Sequence, residues 1–132
     1  MLIANATITG NTSSSAAAIG SGLGFVAAGT SVINTVIVGN TGGADEVDSS
    51  RGTFSSDAFV GATGTNENLP ANCGPTHLFA DPLNGDLHPK KGGVAPCTLI
   101  DVGQTTGAPT HDLDGVTRPQ GAADDIGAYE AK

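Results

Sequence analysis

The chain has 132 residues, of which 20 are glycine and 14% are charged, and its formal net charge is −8. Its length fits one domain, and a helical fold would need many more Leu, Glu, Lys and Arg residues. The acidic charge argues against nucleic-acid binding and against electrostatic attachment to anionic membranes. No stretch approaches the roughly 18 apolar residues of a membrane span, so we expect an all-β chain of short strands and turns, with no membrane insertion.

An internal repeat occupies the first 41 residues. The sequence NATITGNT at residues 5–12 recurs as NTVIVGNT at residues 34–41, and five of the eight positions are identical. Each copy alternates in character and ends in a Gly-Asn turn pair, and no helical pattern lies between the copies. Without the regular leucines of a leucine-rich repeat, this period predicts successive coils of a parallel β-helix.

The alternation in each copy predicts which side chains point inward. If Ile8 and Ile37 face the core, the same count places Ile33 inward. Asn11 is then expected to stack on Asn40 at the turn, where side-chain amides of successive coils can form a hydrogen-bonded ladder.

The same count places three valines, Val32, Val36 and Val38, on the outward face of the second copy. Two explanations stay open: the C-terminal half of the chain covers them, or they form a subunit contact. The N-terminal coil has no cap before it in this sequence, which predicts unpaired strand edges. We therefore expect a homo-oligomer, most simply a two-fold dimer, formed through the N-terminal coil or through these valines.

The middle of the chain has weaker signals. Residues 42–51 predict a polar turn, residues 53–60 a strand of a third coil with Phe54 and Phe59 in or near the core, and residues 61–68 a loop. Cys73 lies in the irregular segment that follows, and Cys97 lies beyond that segment. They form either a disulfide, worth roughly 3–4 kcal/mol and favoured if the protein is exported, or two buried thiols.

Three motifs mark the second half of the chain. They are FADPLNGD at residues 79–86, APCTLIDVG at residues 95–103, and DLDGVTRP with DIGAYE at residues 112–119 and 125–130. Together with residues 22–40 they resemble the last coils and closing segment of bacterial right-handed parallel β-helix proteins, the pectate-lyase-like surface proteins of choice-of-anchor and polymorphic outer-membrane type. The departures are Cys97, where a small residue is usual, and the small number of coils.

This resemblance implies a short right-handed parallel β-helix of about two to three coils with an irregular C-terminal cap. The coils would span residues 1–69 and the cap residues 70–132 of a single domain, residues 1–132. The resemblance also suggests an extracellular or cell-surface location, although the first residues do not predict a signal peptide.

The tail, residues 110–130, combines four aspartates and one glutamate with a single arginine, Arg118. Asp112, Asp114 and Gly115 have the spacing that begins a calcium loop, but no Glu closes it. Alternatively, these aspartates cap backbone amides in a tight turn or pair with Arg118. Both the bound calcium ion and the structural role remain open at this point.

The remaining tail residues predict a structural terminator. Arg118 is expected to hold a carboxylate from the other half of the tail, such as Asp124 or Asp125, and Tyr129 stands at the end of the run. We interpret these four residues as the structural part of the tail.

Sequence patterns for catalysis are weak. Asp81 and Asp86 are more simply explained as turn residues around a glycine, and the three histidines lack metal-ligand spacing. One Tyr, four Phe and no Trp leave few aromatic platforms for a sugar. We therefore expect a non-catalytic structural or adhesion-type module, with weak glycan binding as an option. The alternative is a carbohydrate-active enzyme, a polysaccharide lyase or a glycoside hydrolase-like protein.

Overall fold

Short strands joined by turns make up most of the structure, a computed structural model that describes residues 1–12, 28–42, 52–60, 62, 64–93 and 95–131. Within these ranges the chain is all-β apart from one helical turn, α1 (Pro75–Leu78), and one 3₁₀ turn (Pro82–Asn84). The strands are β1 (Leu2–Ala4), β2 (Thr7–Thr9), β3 (Ser31–Ile33), β4 (Val36–Val38), β5 (Thr53–Ser55), β6 (Ala58–Phe59), β7 (Glu67–Asn68), β8 (Phe79–Asp81) and β9 (Asp86–Pro89).

Two parallel sheets are built from the repeat. One has the strand order β1-β3-β5 and the other the order β2-β4-β6-β7. Residues 2–12, 31–41 and 53–60 form three repeat units, and Ile8 aligns with Ile37 across the first two. The strand predicted at residues 53–60 is confirmed as two short strands that extend both sheets, and Phe54 packs edge-to-face on Phe59 at 5.7 Å. The short strand β7 falls in a stretch that the sequence predicted as loop.

Side-chain amides of adjacent units form the predicted ladder. Nδ2 of Asn11 donates to Oδ1 of Asn40 at 2.9 Å, and the hydroxyls of Thr12 and Thr41 lie 3.2 Å apart. These contacts satisfy polar groups at the turn and hold the first two units in register.

Each unit turns a corner between its two strands at a residue in the left-handed region. Asn5 and Asn34 both have a φ of 48°, and Ser56 has a φ of 54°. Asparagine tolerates this conformation better than most residues, because its short polar side chain can hydrogen-bond locally. Because of this corner, the alternation of inward-pointing and outward-pointing side chains does not continue in phase from one strand to the next.

For this reason the predicted faces of Val32 and Ile33 are wrong. Val32 aligns with Phe54, which packs on the inner cluster around Ile37, so Val32 shares the inner face. Ile33 lies on the opposite face, where Gly107 of the C-terminal half approaches its Cδ1 atom closely.

The C-terminal half of the chain covers the outer face of β4. Val36 and Val38 are 0% and 3% exposed. Burial of each such side chain is worth about 1.5–3 kcal/mol. Coverage by the chain's own second half is therefore the correct explanation for Val36 and Val38. Since Val32 faces inward, none of the three valines is exposed for a subunit contact. The covering residues are Leu69, Cys73, Leu78, Phe79, Leu99 and Ile126.

Beyond β7 the chain forms a helical turn, an antiparallel hairpin of β8 and β9, and a long run of turns. The described part of residues 90–131 contains neither helix nor extended strand, in line with the expected irregular segment. No helix in the described ranges has the length and apolarity to cross a membrane. Most of the expected turn at residues 42–51, and residues 22–27 of the resemblance, lie outside the described residues.

Candidate functional site

A buried ion pair between Arg118 and Glu130 forms the centre of the tail. Nη1 of Arg118 lies 2.5 Å from Oε1 of Glu130, and both side chains are 1% exposed. Arg118 also donates to the carbonyl oxygens of Asp125 and Gly127, at 3.1 and 2.9 Å. The sequence predicted a carboxylate partner, and the structure provides Glu130 in place of Asp124 or Asp125.

The Glu130 carboxylate also binds the backbone of the tail. Its Oε1 accepts the N–H of Asp125 at 2.9 Å, and its Oε2 accepts the N–H of Gln120 at 3.1 Å. A buried charge is tolerated when it is paired and fully hydrogen-bonded, so this carboxylate is used within the fold.

Asp112 forms the tight turn that was the structural alternative to a calcium loop. Its Oδ1 accepts the N–H groups of Asp114 and Val116 at 2.9 and 2.7 Å, and its Oδ2 accepts that of Glu130 at 3.0 Å. The Asp114 carboxylate bonds elsewhere, to His88. Over the described ranges no group of three acidic, histidine or cysteine side chains has the arrangement of a metal site. The calcium alternative at Asp112 and Asp114 stays untested.

Asp125 and Asp124 are buried beside this pair. Asp125 accepts the N–H groups of Asp101 and Ala131 at 2.8 and 2.7 Å. Burial raises the pKa of Asp125 although these two bonds lower it. Burial and the nearby charge of Glu130 raise the pKa of Asp124. Both carboxyls therefore hold a proton more readily than an exposed aspartate does.

The tail docks on the corners of the repeat units. Asn34 exchanges two hydrogen bonds with the backbone of Gln104, at 2.6 and 2.8 Å, and its carbonyl accepts the N–H of Gly127 at 2.8 Å. Asn5 donates to the carbonyl of Asp125 at 3.4 Å. The corner asparagines thus serve two purposes, since they turn the chain and anchor the tail.

A second polar cluster lies on the surface around His88. Its Nδ1 lies 2.7 Å from Asp86, its Nε2 lies 3.2 Å from Asp114, and its ring stacks on Tyr129 with centroids 4.2 Å apart. Burial lowers the pKa of His88, but the two carboxylates raise it more, and the net shift is upward. The hydrogen bond from His88 lowers the pKa of Asp86. The cluster joins the β8–β9 hairpin to the tail.

Besides a cleft of about 230 Å³ beside Asp112 and Arg118, two surface clefts adjoin these clusters. One of about 250 Å³ is lined in part by Asp101, Asp125 and Glu130, whose carboxylates accept backbone N–H groups. The other, of about 400 Å³, is lined by Ala80, His88, Pro89 and Lys91. The second cleft is mostly apolar and offers one imidazole and one ammonium group to a ligand.

A disulfide joins Cys73 to Cys97, with the Cα atoms 5.5 Å apart. Cys73 is 1% exposed and belongs to the apolar cluster that covers Val36 and Val38. The bridge ties the segment before α1 to the first part of the long run of turns.

The sequence alone did not predict the roles of several residues in these clusters. Glu130 and His88 carry no local pattern that identifies their partners. Asn5 and Asn34 did carry a signal, because they recur at equivalent positions of the repeat and asparagine is common in the left-handed region. No family model, curated protein or solved structure matches the chain.

Proposed function

We propose that the chain is a non-catalytic structural or adhesion-type module, built as a short right-handed parallel β-helix of three coils with a C-terminal cap in one domain. The aligned parallel strands of three successive units support this architecture. The likeness of its closing motifs to those of bacterial β-helix surface proteins supports the same function and an extracellular or cell-surface location.

One observation carries the proposal. Three tail carboxylates, those of Asp112, Asp125 and Glu130, each accept at least two hydrogen bonds from within the chain. A ligand-binding carboxylate needs free acceptor positions, whereas a cap needs its acceptors directed at the backbone. The tail is therefore better suited to hold structure than to bind a substrate.

The alternative, a carbohydrate-active enzyme, finds its best support in the cluster of Asp86, His88 and Asp114. An imidazole between two carboxylates beside a cleft can act as a general acid or base. However, both ring nitrogens already contact carboxylates, and the ring is stacked on Tyr129. This arrangement also serves simply to hold the hairpin against the tail.

Glycan-array binding followed by a reducing-end assay on every hit tests the proposal. We expect weak binding or none, and no release of reducing ends or unsaturated sugars. Turnover that is abolished in a correctly folded His88→Ala variant would establish the enzyme and overturn the structural function.

A further inference from the structure

His88 links the β8–β9 hairpin to the tail by two contacts. Its Nε2 atom lies 3.2 Å from Oδ2 of Asp114, and its ring stacks on that of Tyr129 with centroids 4.2 Å apart. A third contact, 2.7 Å from Nδ1 to Oδ1 of Asp86, stays within the hairpin. The imidazole is therefore placed between one carboxylate of its own hairpin and one of the tail.

The proton count of the ring decides whether both carboxylate contacts can exist together. A carboxylate only accepts hydrogen bonds, a neutral imidazole has one N–H group, and an imidazolium has two. Each ring nitrogen of His88 lies within hydrogen-bond distance of a carboxylate oxygen. Both bonds therefore require the protonated ring. When the ring loses a proton, one nitrogen directs a lone pair at a carboxylate, and that contact becomes repulsive.

The contact with Asp114 is the one expected to be lost. Oδ1 of Asp86 accepts the backbone N–H of His88 at 3.1 Å as well as lying close to Nδ1, so this carboxylate is held beside the ring. The contact with Asp114 is longer and joins groups 26 residues apart in sequence. The single proton of the neutral ring should therefore stay on Nδ1, and the link from the hairpin to the tail depends on the second proton.

The charges around His88 favour its protonated form. Lys90 directs its ammonium to the carbonyl of Thr76 at 2.9 Å. Burial lowers the pKa of His88, but the two carboxylates raise it more, to above its usual value of 6.5. The contribution of the link to stability is therefore complete below pH 6.5 and is lost as the pH rises through the raised pKa. The groups that face the ring from the hairpin, the tail and the adjoining cleft are Asp86, Asp114, Tyr129 and Lys91.

We propose that His88 is a pH-dependent latch, which joins the hairpin to the turn at residues 112–116 when its ring is protonated and releases that turn when the ring is neutral. The side chains of His88 and Asp114 are 30% and 38% exposed, so release should change this contact with little effect on overall stability. His88 also lines the cleft of about 400 Å³, so release changes one wall of that cleft. The latch does not depend on the proposed function.

Tyr129 provides the probe for the test. It is the only tyrosine, and the chain has no tryptophan, so the near-ultraviolet circular dichroism of tyrosine reports the ring that stacks on His88. The signal is measured from about pH 5.5 to about pH 8.5, below the range in which tyrosine ionises. NMR of the His88 ring, assigned with a His88→Gln variant, follows its protonation over the same range. We expect the tyrosine signal to fall as the pH rises, with the same midpoint as the ring.

Asp114→Asn is the matched variant. Its amide can accept a bond from protonated Nε2 and donate one to unprotonated Nε2, so the link and the tyrosine signal should persist over the whole range. Asp114→Ala cannot make the link, so its signal should be low throughout. Asp57 also titrates near pH 6, but it is present in all three proteins and produces no difference between them. A constant native signal while His88 titrates, or the same decline in Asp114→Asn, would overturn the latch.

Discussion

Arg118 and Glu130, 12 residues apart in the tail, form an ion pair with both side chains 1% exposed. Arg118 reaches two carbonyls of the tail, and Glu130 binds two backbone N–H groups besides the guanidinium. The pair therefore organises the backbone between its two members, and removal of either charge leaves the other buried without compensation.

An Arg118→Ala substitution should be strongly destabilising. Loss of one partner of a buried pair costs about 3–5 kcal/mol, which corresponds to a drop in Tm of roughly 10–20 °C for a chain of this size. Thermal unfolding followed by circular dichroism measures it. Lys91→Ala is the matched control, because Lys91 is exposed and its loss should shift Tm by about 1 °C or less. An unchanged Tm for Arg118→Ala would mean that the pair contributes little.

Two substitutions at Asn34 separate the contribution of its anchoring hydrogen bonds to stability from the cost of its left-handed backbone conformation. Asn34→Gly keeps the left-handed conformation but loses the two bonds to Gln104, which should cost about 1–3 kcal/mol. Asn34→Ala should cost about 1 kcal/mol more because of its φ of 48°. Urea unfolding measures both values. Asn5→Gly is the control and should cost less, since its amide makes longer bonds of 3.4 Å; an equal cost would argue against the anchor.

Two glycines at equivalent repeat positions test the packing of the second half on the second unit. Gly10 and Gly39 have φ values of 71° and 70°. A Cβ at Gly39 would lie 2.5 Å from Cγ of Pro75, whereas one at Gly10 meets nothing within 4 Å. Gly39→Ala should therefore be more destabilising than Gly10→Ala by about 1–3 kcal/mol. An equal loss in the free energy of unfolding for the two variants, measured by urea unfolding, would show that α1 does not pack against Gly39.

Because of Asp57, the stability of the chain is expected to fall as the pH rises. Asp57 is fully buried, and burial raises its pKa to about 6, although the amides of Thr35 and Ser55 lower it. The folded chain therefore binds the proton more tightly than the unfolded chain. This contribution to stability is complete below pH 3.8 and is lost as the pH rises through 6, by up to about 3 kcal/mol.

Urea unfolding at pH 4, 5, 6 and 7 measures this effect, with Asp57→Asn as the comparison. In the Asp57→Asn variant, most of the fall in the free energy of unfolding between pH 4 and pH 6 should be absent. Asp124 and Asp125 have pKa values raised in the same direction, so a smaller decline should remain. The same pH profile in both proteins would show that Asp57 does not titrate in this range.

The sequence predicted the parts of the fold that follow from repetition. Identical residues at a constant offset align in parallel strands, which is why the pairing of Ile8 with Ile37 and the ladder of Asn11 and Asn40 were predictable. The faces of Val32 and Ile33 were not. A single asparagine in the left-handed region shifts the alternation, and the alternating pattern alone does not show which of the recurring asparagines lies at a corner.

The site was less predictable because its contacts are distant in sequence. Five carboxylates stand within 12 residues of Arg118, and spacing alone does not rank them as partners. His88 meets Asp114 from 26 residues away, and the hairpin and tail that bring them together have no repetitive pattern. Only the packed structure identifies Glu130 and Asp114 as the partners.

We propose that the tail carboxylates hold structure, and calcium tests this proposal most directly. Thermal unfolding is measured in EDTA and in millimolar calcium chloride, for the native chain and for Asp112→Asn. The structural function predicts that the Tm of the native chain is the same in both solutions. A saturable rise in Tm with calcium, abolished in Asp112→Asn, would contradict it, because an ion that binds the folded state raises stability in proportion to RT ln(1 + [L]/Kd).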